Sequence, residues 1–260
     1  MGHVIDPLYA VSGLAVGLLV GLTGVGGGSL MTPLLVLVFG IHPSTAVGTD
    51  LLYAAATKSV GTGVHNSKGT IDWRVVGRLA LGSVPATALT LFILSKMNAH
   101  LDARHGVIST TLGVALILTA TSILFRKLIL ERFRRFSSKW SPRTISISTV
   151  ALGALLGVLV SISSVGAGAI GMTALLVLYP SLPVNKLVGS DIAHAVPLTL
   201  IAGFGHWLMG SVNIGLLGSL LVGSIPGIII GSLLAARASE RVLRPILAST
   251  LVIVGGKLIF

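Results

Sequence analysis

The chain contains no cysteine. Disulfides, thiolate metal sites and cysteine nucleophiles are therefore excluded, although this absence identifies no compartment. Charge is scarce as well: only 10% of the 260 residues are Asp, Glu, Lys or Arg, against 53% that are hydrophobic. So little charge cannot cover a soluble globule of this size, and the apolar runs are long and repeated. The expected class is an all-α, polytopic membrane protein embedded in a lipid bilayer. Nucleic acid is not an expected partner despite the net charge of +11, because no aromatic stacking module accompanies the basic residues. A P-loop is missing, so ATP could drive this chain only through a separate subunit. The seven histidines are scattered without zinc-ligand spacing, and no metal or cofactor is expected. No Lys or Arg precedes the first apolar run, so that run is expected to stay as a span rather than be cleaved.

What the chain does have is a duplication. Gly13, Gly17 and Gly21, followed by Leu22-Thr23-Gly24-Val25-Gly26-Gly27-Gly28-Ser29, match Gly153, Gly157 and Ser161, followed by Ile162-Ser163-Ser164-Val165-Gly166-Ala167-Gly168-Ala169. One residue is inserted in the second copy. Gly48-Thr49-Asp50 then falls on Gly189-Ser190-Asp191, His65 on His206, Gly69 on Gly210, Asp72 on Asn213, and Gly82-Ser83-Val84-Pro85 on Gly223-Ser224-Ile225-Pro226. Two halves, each with an apolar segment broken at the same place, point to a transporter and locate its site.

Apolar segments are expected near residues 8–22, 29–40, 44–64, 75–97 and 105–125, then 145–162, 168–180, 187–208, 214–236 and 242–260. Those starting at 44, 75, 105, 187 and 214 suffice to cross a bilayer, which takes about 20 helical residues. The pairs flanking the glycine motifs are mostly short, and read either as re-entrant hairpins or as tilted spans joined by a deep loop. Residues 126–143 carry most of a basic cluster: Arg126, Lys127, Arg132, Arg134, Arg135, Lys139 and Arg143. This segment divides the chain into repeats 1–125 and 144–260, and the positive-inside rule makes it cytoplasmic, where it could touch anionic lipid. Counting outward puts Lys68, Arg74 and Arg78 inside, the uncharged counterpart loop 210–213 outside, and Arg237, Arg241 and Arg244 inside. The repeats are then inverted, although Lys96 and Arg104 run against this scheme.

Non-helical backbone survives in hydrocarbon only where protein buries it or where it lines a cavity. Glycine lets the chain approach a ligand closely, and the first amides of the following helix carry positive partial charge. An anion suits such a place. The expected substrate-binding residues are Gly24, Gly26, Gly27, Gly28 and Ser29 in one half, and Ser163, Ser164, Gly166 and Gly168 in the other. The plainer alternative is close helix packing, the role expected of Gly13, Gly17 and Gly21 and of Gly223, Gly227 and Gly231.

Ionisable groups inside spans are functional by default. Asp50 shares a helical face with Tyr53 and Thr57, and Asp191 shares one with His194. Each Asp could relay protons or couple transport, or could merely bond backbone freed by the glycine loop. Lys58 has no basic counterpart, since Thr199 takes its place; it could face the substrate, pair with an Asp or snorkel to the interface. His65 and His206 end matching segments, where a histidine could carry a proton or anchor the helix end at the interface. Pro85 and Pro226 are expected to kink matching helices.

Together these residues resemble the sulfite exporter TauE/SafE family. The resemblance rests on Gly-Val-Gly-Gly-Gly-Ser before Pro33, Gly-Thr-Asp after a short Pro-containing turn, Gly-x-x-Asp-Trp at Gly69 to Trp73, and the second glycine-rich copy. It implies a plasma-membrane permease for sulfite, organosulfonates or related sulfur-containing anions, working without ATP. It also implies that the family's two glycine motifs fall on Gly24 to Ser29 and Ser163 to Gly168, the second less glycine-rich here because of Ala167 and Ala169. An alternating-access carrier with Asp50, Asp191 or Lys58 supplying the coupling is the expected mechanism. A passive anion channel, a carboxylate permease and an intramembrane enzyme built on the two aspartates are alternatives. The coupling ion, the direction of flow and a homodimer are left open.

Overall fold

The computed structural model describes residues 6–23, 28–96, 101–137 and 140–234. Among the described residues the chain is all helix: α1 (Pro7–Thr23), α2 (Gly28–Leu37), α3 (Pro43–Ser67), α4 (Trp73–Lys96), α5 (Leu101–Leu124), α6 (Arg126–Ser137), α7 (Pro142–Ser163), α8 (Ala169–Leu178), α9 (Val184–Leu208) and α10 (Ile214–Leu234). Nine of the ten expected apolar segments fall on these helices; the last, 242–260, lies outside the described residues. Helices α4, α5 from Val107, α7, α9 and α10 are long and apolar enough to cross a membrane. The protein is thus an all-helical membrane protein.

Two segments differ from expectation. Residues 145–162 looked short, yet α7 has 22 residues. Its start is extended by Ser141, whose side chain accepts the Thr144 amide at 3.2 Å, with Pro142 in the first turn. The basic stretch read as a loop contains the helix α6, because its apolar residues recur at helical spacing. It packs on α5 and α8, with Leu130 turned toward Leu176 and Tyr179 and with Leu128 and Phe133 exposed.

Helices α3 and α9 form the middle of the molecule. Each has 25 residues, about 37 Å at the α-helical rise. Asp50, Lys58, His65 and several Thr and Ser make α3 polar for the bilayer-long segment expected at 44–64, but it is enclosed by neighbours and so does not meet lipid along that face. On one side lies an apolar core of Val16, Val20, Met31, Leu35 and Leu220; on the other lies a larger one including Leu79, Leu112, Leu156 and Leu175. Leu81, Leu89, Phe92, Leu155, Leu200, Phe204 and Ile230 are exposed on the outside, as lipid-facing side chains should be.

The spaced glycines set the helix pairs. A methyl group on Gly17 would sit 2.5 Å from the Ser224 carbonyl oxygen, and one on Gly157 would sit 2.6 Å from that of Ser83. Gly13, Gly17 and Gly21 meet Leu220, Ser224 and Ile228 in rising order, so α1 and α10 run parallel. Gly153 and Gly157 meet Leu79 and Ser83 in the same way, pairing α7 with α4. Each pair joins one half to the other. Helices α3 and α9 run antiparallel instead, since Gly48 reaches His206, Gly203 reaches Leu52, and Gly189 reaches His65.

The joints repeat too. Gly69 at φ 63° and Gly210 at φ 73° make the turns after α3 and α9, a conformation that glycine adopts without strain. Asp72 then accepts the Arg74 amide at 3.0 Å and caps α4, while Asn213 accepts the Leu216 amide at 3.0 Å and caps α10. Each cap is pinned to the opposite half: the Asp72 amide donates to Ser190 Oγ at 2.8 Å, and the Asn213 amide donates to Thr49 Oγ1 at 3.0 Å.

Candidate functional site

The second glycine motif breaks the helix. Helix α7 ends at Ser164, which takes the left-handed conformation at φ 59° and donates its amide to Val160 O at 2.8 Å. Gly166 follows at φ 116°, and Gly168 caps α8. The whole of Ser163 to Gly168 is buried, satisfying the rule that irregular backbone in a membrane must be enclosed. Gly28 and Ser29 open α2, whereas Gly24, Gly26 and Gly27 lie outside the described residues.

The two serines have different tasks. Ser163 donates to Leu159 O at 2.7 Å and accepts the Val165 amide at 3.2 Å, so its hydroxyl holds the turn together. Ser164 Oγ instead donates to Asp50 Oδ2 at 2.9 Å, and Thr32 Oγ1 donates to the same oxygen. A residue of the second motif is thereby joined to the buried acid of the first half.

Asp191 is treated differently. It is 1% exposed, and neither carboxylate oxygen has a hydrogen-bond partner among the described residues. Opposite it stands Gly171 of α8, where an added methyl group would lie 3.0 Å from Asp191 Oδ1. Lys58, only 3% exposed, lies within electrostatic reach of both Asp50 and Asp191. A buried ammonium without an acid nearby would be costly, so its place between two carboxylates is what permits it.

The remaining polar groups extend this seam. His194 Nε2 shares a hydrogen bond of 2.9 Å with Ser83 Oγ, and Nδ1 has no partner among the described residues. At the matching place in the first half, Tyr53 OH donates to Gly13 O at 3.5 Å, and one turn on Thr57 Oγ1 shares a 2.9 Å bond with Ser224 Oγ. His65 and His206 are buried against protein rather than placed at a wet interface. His65 Nδ1 meets Thr70 Oγ1 at 2.9 Å, and His206 Nε2 donates to Ser161 O at 2.8 Å, beside the second glycine motif. Asp50, Lys58, Asp191 and His194 thus form one buried polar seam along α3 and α9, with Asp50 turned to α2 and the Ser164 turn, Asp191 to α8 and His194 to α4, and with the two end histidines held against protein.

Sequence reasoning missed Thr32, Ser83 and Ser224 as site residues. The duplicated Gly-Ser before Pro85 and Pro226 was a signal for the last two. Thr32 could have been found from Met31-Thr32 and Leu34 to Leu37, which recur as Met172-Thr173 and Leu175 to Leu178.

The sequence has relatives among known proteins. The family model for the sulfite exporter TauE/SafE matches residues 9–258. This chain belongs to the sulfite exporter TauE/SafE family. It is 42% identical over 250 residues to the probable membrane transporter protein YjnA of Bacillus subtilis, an alignment covering 95% of this chain and 97% of that one. It is 30% identical over 207 residues to the probable membrane transporter protein YdhB of the same organism, covering 77% and 78%. A probable membrane transporter protein of Haemophilus influenzae is 25% identical over 225 residues, covering 81% and 79%. No solved structure matches. Membership of the TauE/SafE family makes the protein a membrane transporter.

Proposed function

We propose that the protein is a secondary transporter that moves sulfite, or a related small sulfur-containing anion such as an organosulfonate, across the plasma membrane by alternating access. The observation that carries this reading is the buried Asp50, Lys58 and Asp191 set on two antiparallel helices that occupy matching places in the halves. Inverted repeats 1–125 and 144–260, joined by a cytoplasmic basic linker 126–143, are supported by that antiparallel pairing and by contacts that recur with the halves exchanged. Such halves can rock about a midplane site, opening it to each side in turn. Lys58 supplies the positive charge for an anion, and Ser164, Gly166 and Gly168 bring backbone and the start of α8 close to the same seam.

Purified protein in liposomes should take up radiolabelled sulfite or an alkanesulfonate well above empty-vesicle background, and sulfate or a carboxylate weakly. Preference for a carboxylate would reassign the substrate. Steady conductance without saturation would make the protein a channel.

A further inference from the structure

The two buried aspartates stand at matching positions yet have opposite surroundings. Asp50 has two fixed donors on one oxygen, Thr32 and Ser164 both donating to Oδ2, while its Oδ1 has no partner among the described residues. The matching threonine, Thr173, spends its proton elsewhere: its hydroxyl donates to Ala169 O at 2.8 Å and accepts from Ser122 Oγ at 3.1 Å. The residue matching Ser164 is Gly24, which has no hydroxyl. Across from Asp191, α8 presents Gly171, leaving the carboxylate against bare backbone.

Resting on the transport reading above, we propose that Asp191 is the group that takes up and releases the coupling proton, with Lys58 as its exchangeable partner, while Asp50 is a fixed structural acid. With Asp191 ionised, the Lys58 ammonium is held by a carboxylate. When a proton from one side binds Asp191, that carboxylate becomes neutral and the ammonium is left to hold an incoming anion. On the other side the anion leaves, the proton leaves Asp191, and the Lys58 charge is again balanced by a nearby carboxylate, so one proton and one anion move in the same direction. The titratable or charged groups facing Asp191 are few. Helix α3 brings Lys58, and Asp50 beyond it; α9 itself brings His194 one turn on, tied to Ser83 of α4; His65 of α3 lies against the backbone of Gly189; and α8 brings Gly171, which cannot titrate. An acid such as Asp191, buried without hydrogen-bond donors among the described residues, can change charge without breaking a bond there, whereas protonating Asp50 disturbs two donors at once.

The test is a ratio: uptake of radiolabelled sulfite by proteoliposomes with an inward proton gradient, divided by uptake at equal pH. Wild-type protein should give a ratio of several-fold, Asp191→Asn a ratio near one, and Asp50→Asn a ratio like wild type whatever its absolute rate. A gradient response that survives in Asp191→Asn, or is lost in a folded Asp50→Asn, overturns the proposal. Should Asp191→Asn carry too little to measure, Gly171→Ala supplies the second arm. Its methyl group crowds the Asp191 carboxylate, so it should displace the pH profile of uptake relative to wild type, and an unmoved profile counts against Asp191. Wild-type vesicles that take up no anion overturn the transport reading together with this one; wild-type uptake that ignores the proton gradient overturns the proposal alone.

Discussion

Replacing Lys58 with Met is expected to reduce anion uptake to background and to destabilise the protein, because the buried Asp50 and Asp191 then lose a nearby positive charge. Lys58 is 3% exposed and lies in reach of Asp50 and Asp191, so its loss strands negative charge in the middle of the fold. The cost should therefore be recoverable. Adding Asp191→Asn to Lys58→Met removes the stranded charge, and thermal unfolding in detergent should return most of the way to wild type. Uptake should not return, because the double variant lacks the cation that faces the anion. Wild-type uptake in Lys58→Met would remove Lys58 from the site, and a double variant no more stable than the single would show that the two groups are not coupled. Lys58→Thr is informative as well, since it makes the position match Thr199 of the other half.

The second large effect is expected at Ser164. Its left-handed conformation costs a residue with a side chain roughly 1–2 kcal/mol, more when the side chain is β-branched. Its hydroxyl also bonds the buried Asp50 at 2.9 Å, an interaction with a charged group worth about 1.5–3 kcal/mol. Ser164→Val adds to the strain and removes the bond, so a loss of about 3 kcal/mol and background uptake are expected. Ser164→Gly relaxes the backbone and removes only the bond, and should fall between Val and wild type in both stability and uptake. If Val and Gly are equally harmful, the left-handed turn carries none of the effect; if neither matters, the link between the second motif and Asp50 is incidental.

Much of this arrangement was legible because the chain states it twice. The duplicated Gly-Thr-Asp and Gly-Ser-Asp placed both acids on the central helices, and the spacing of Gly13, Gly17 and Gly21 marked a packing face rather than a ligand cradle. The stretch from Ser164 to Gly168 is a helix break, as the duplicated interruption implied. What stayed hidden was which small-residue faces meet. Nothing local says that α1 pairs with α10 and α7 with α4, because that choice is made by shape across 200 residues of chain, not by neighbours in sequence. The length of α3 was legible at 44–64, whereas its enclosure by other helices was not, since a helix shielded by others escapes the hydropathy that lipid demands. Thr32 gave little warning because a lone threonine near a proline is usually a satisfied helix residue. The difference between Asp50 and Asp191 was invisible for a related reason: both sit in the same motif, and only the third dimension shows that, among the described residues, Asp50 accepts two hydrogen bonds on one oxygen and Asp191 accepts none.

The central claim is that the seam between α3 and α9 opens to each side of the membrane in turn. The chain has no cysteine of its own, so a single Thr57→Cys substitution puts one thiol at the seam without background. Thr57 is 1% exposed, adjoins Lys58 on α3 and bonds Ser224 of α10. In sealed vesicles, a small membrane-impermeant thiol reagent should label this cysteine from the inside and from the outside in separate experiments, and sulfite should shift the ratio of the two rates. Labelling from one side only, with or without the anion, would contradict alternating access at this seam.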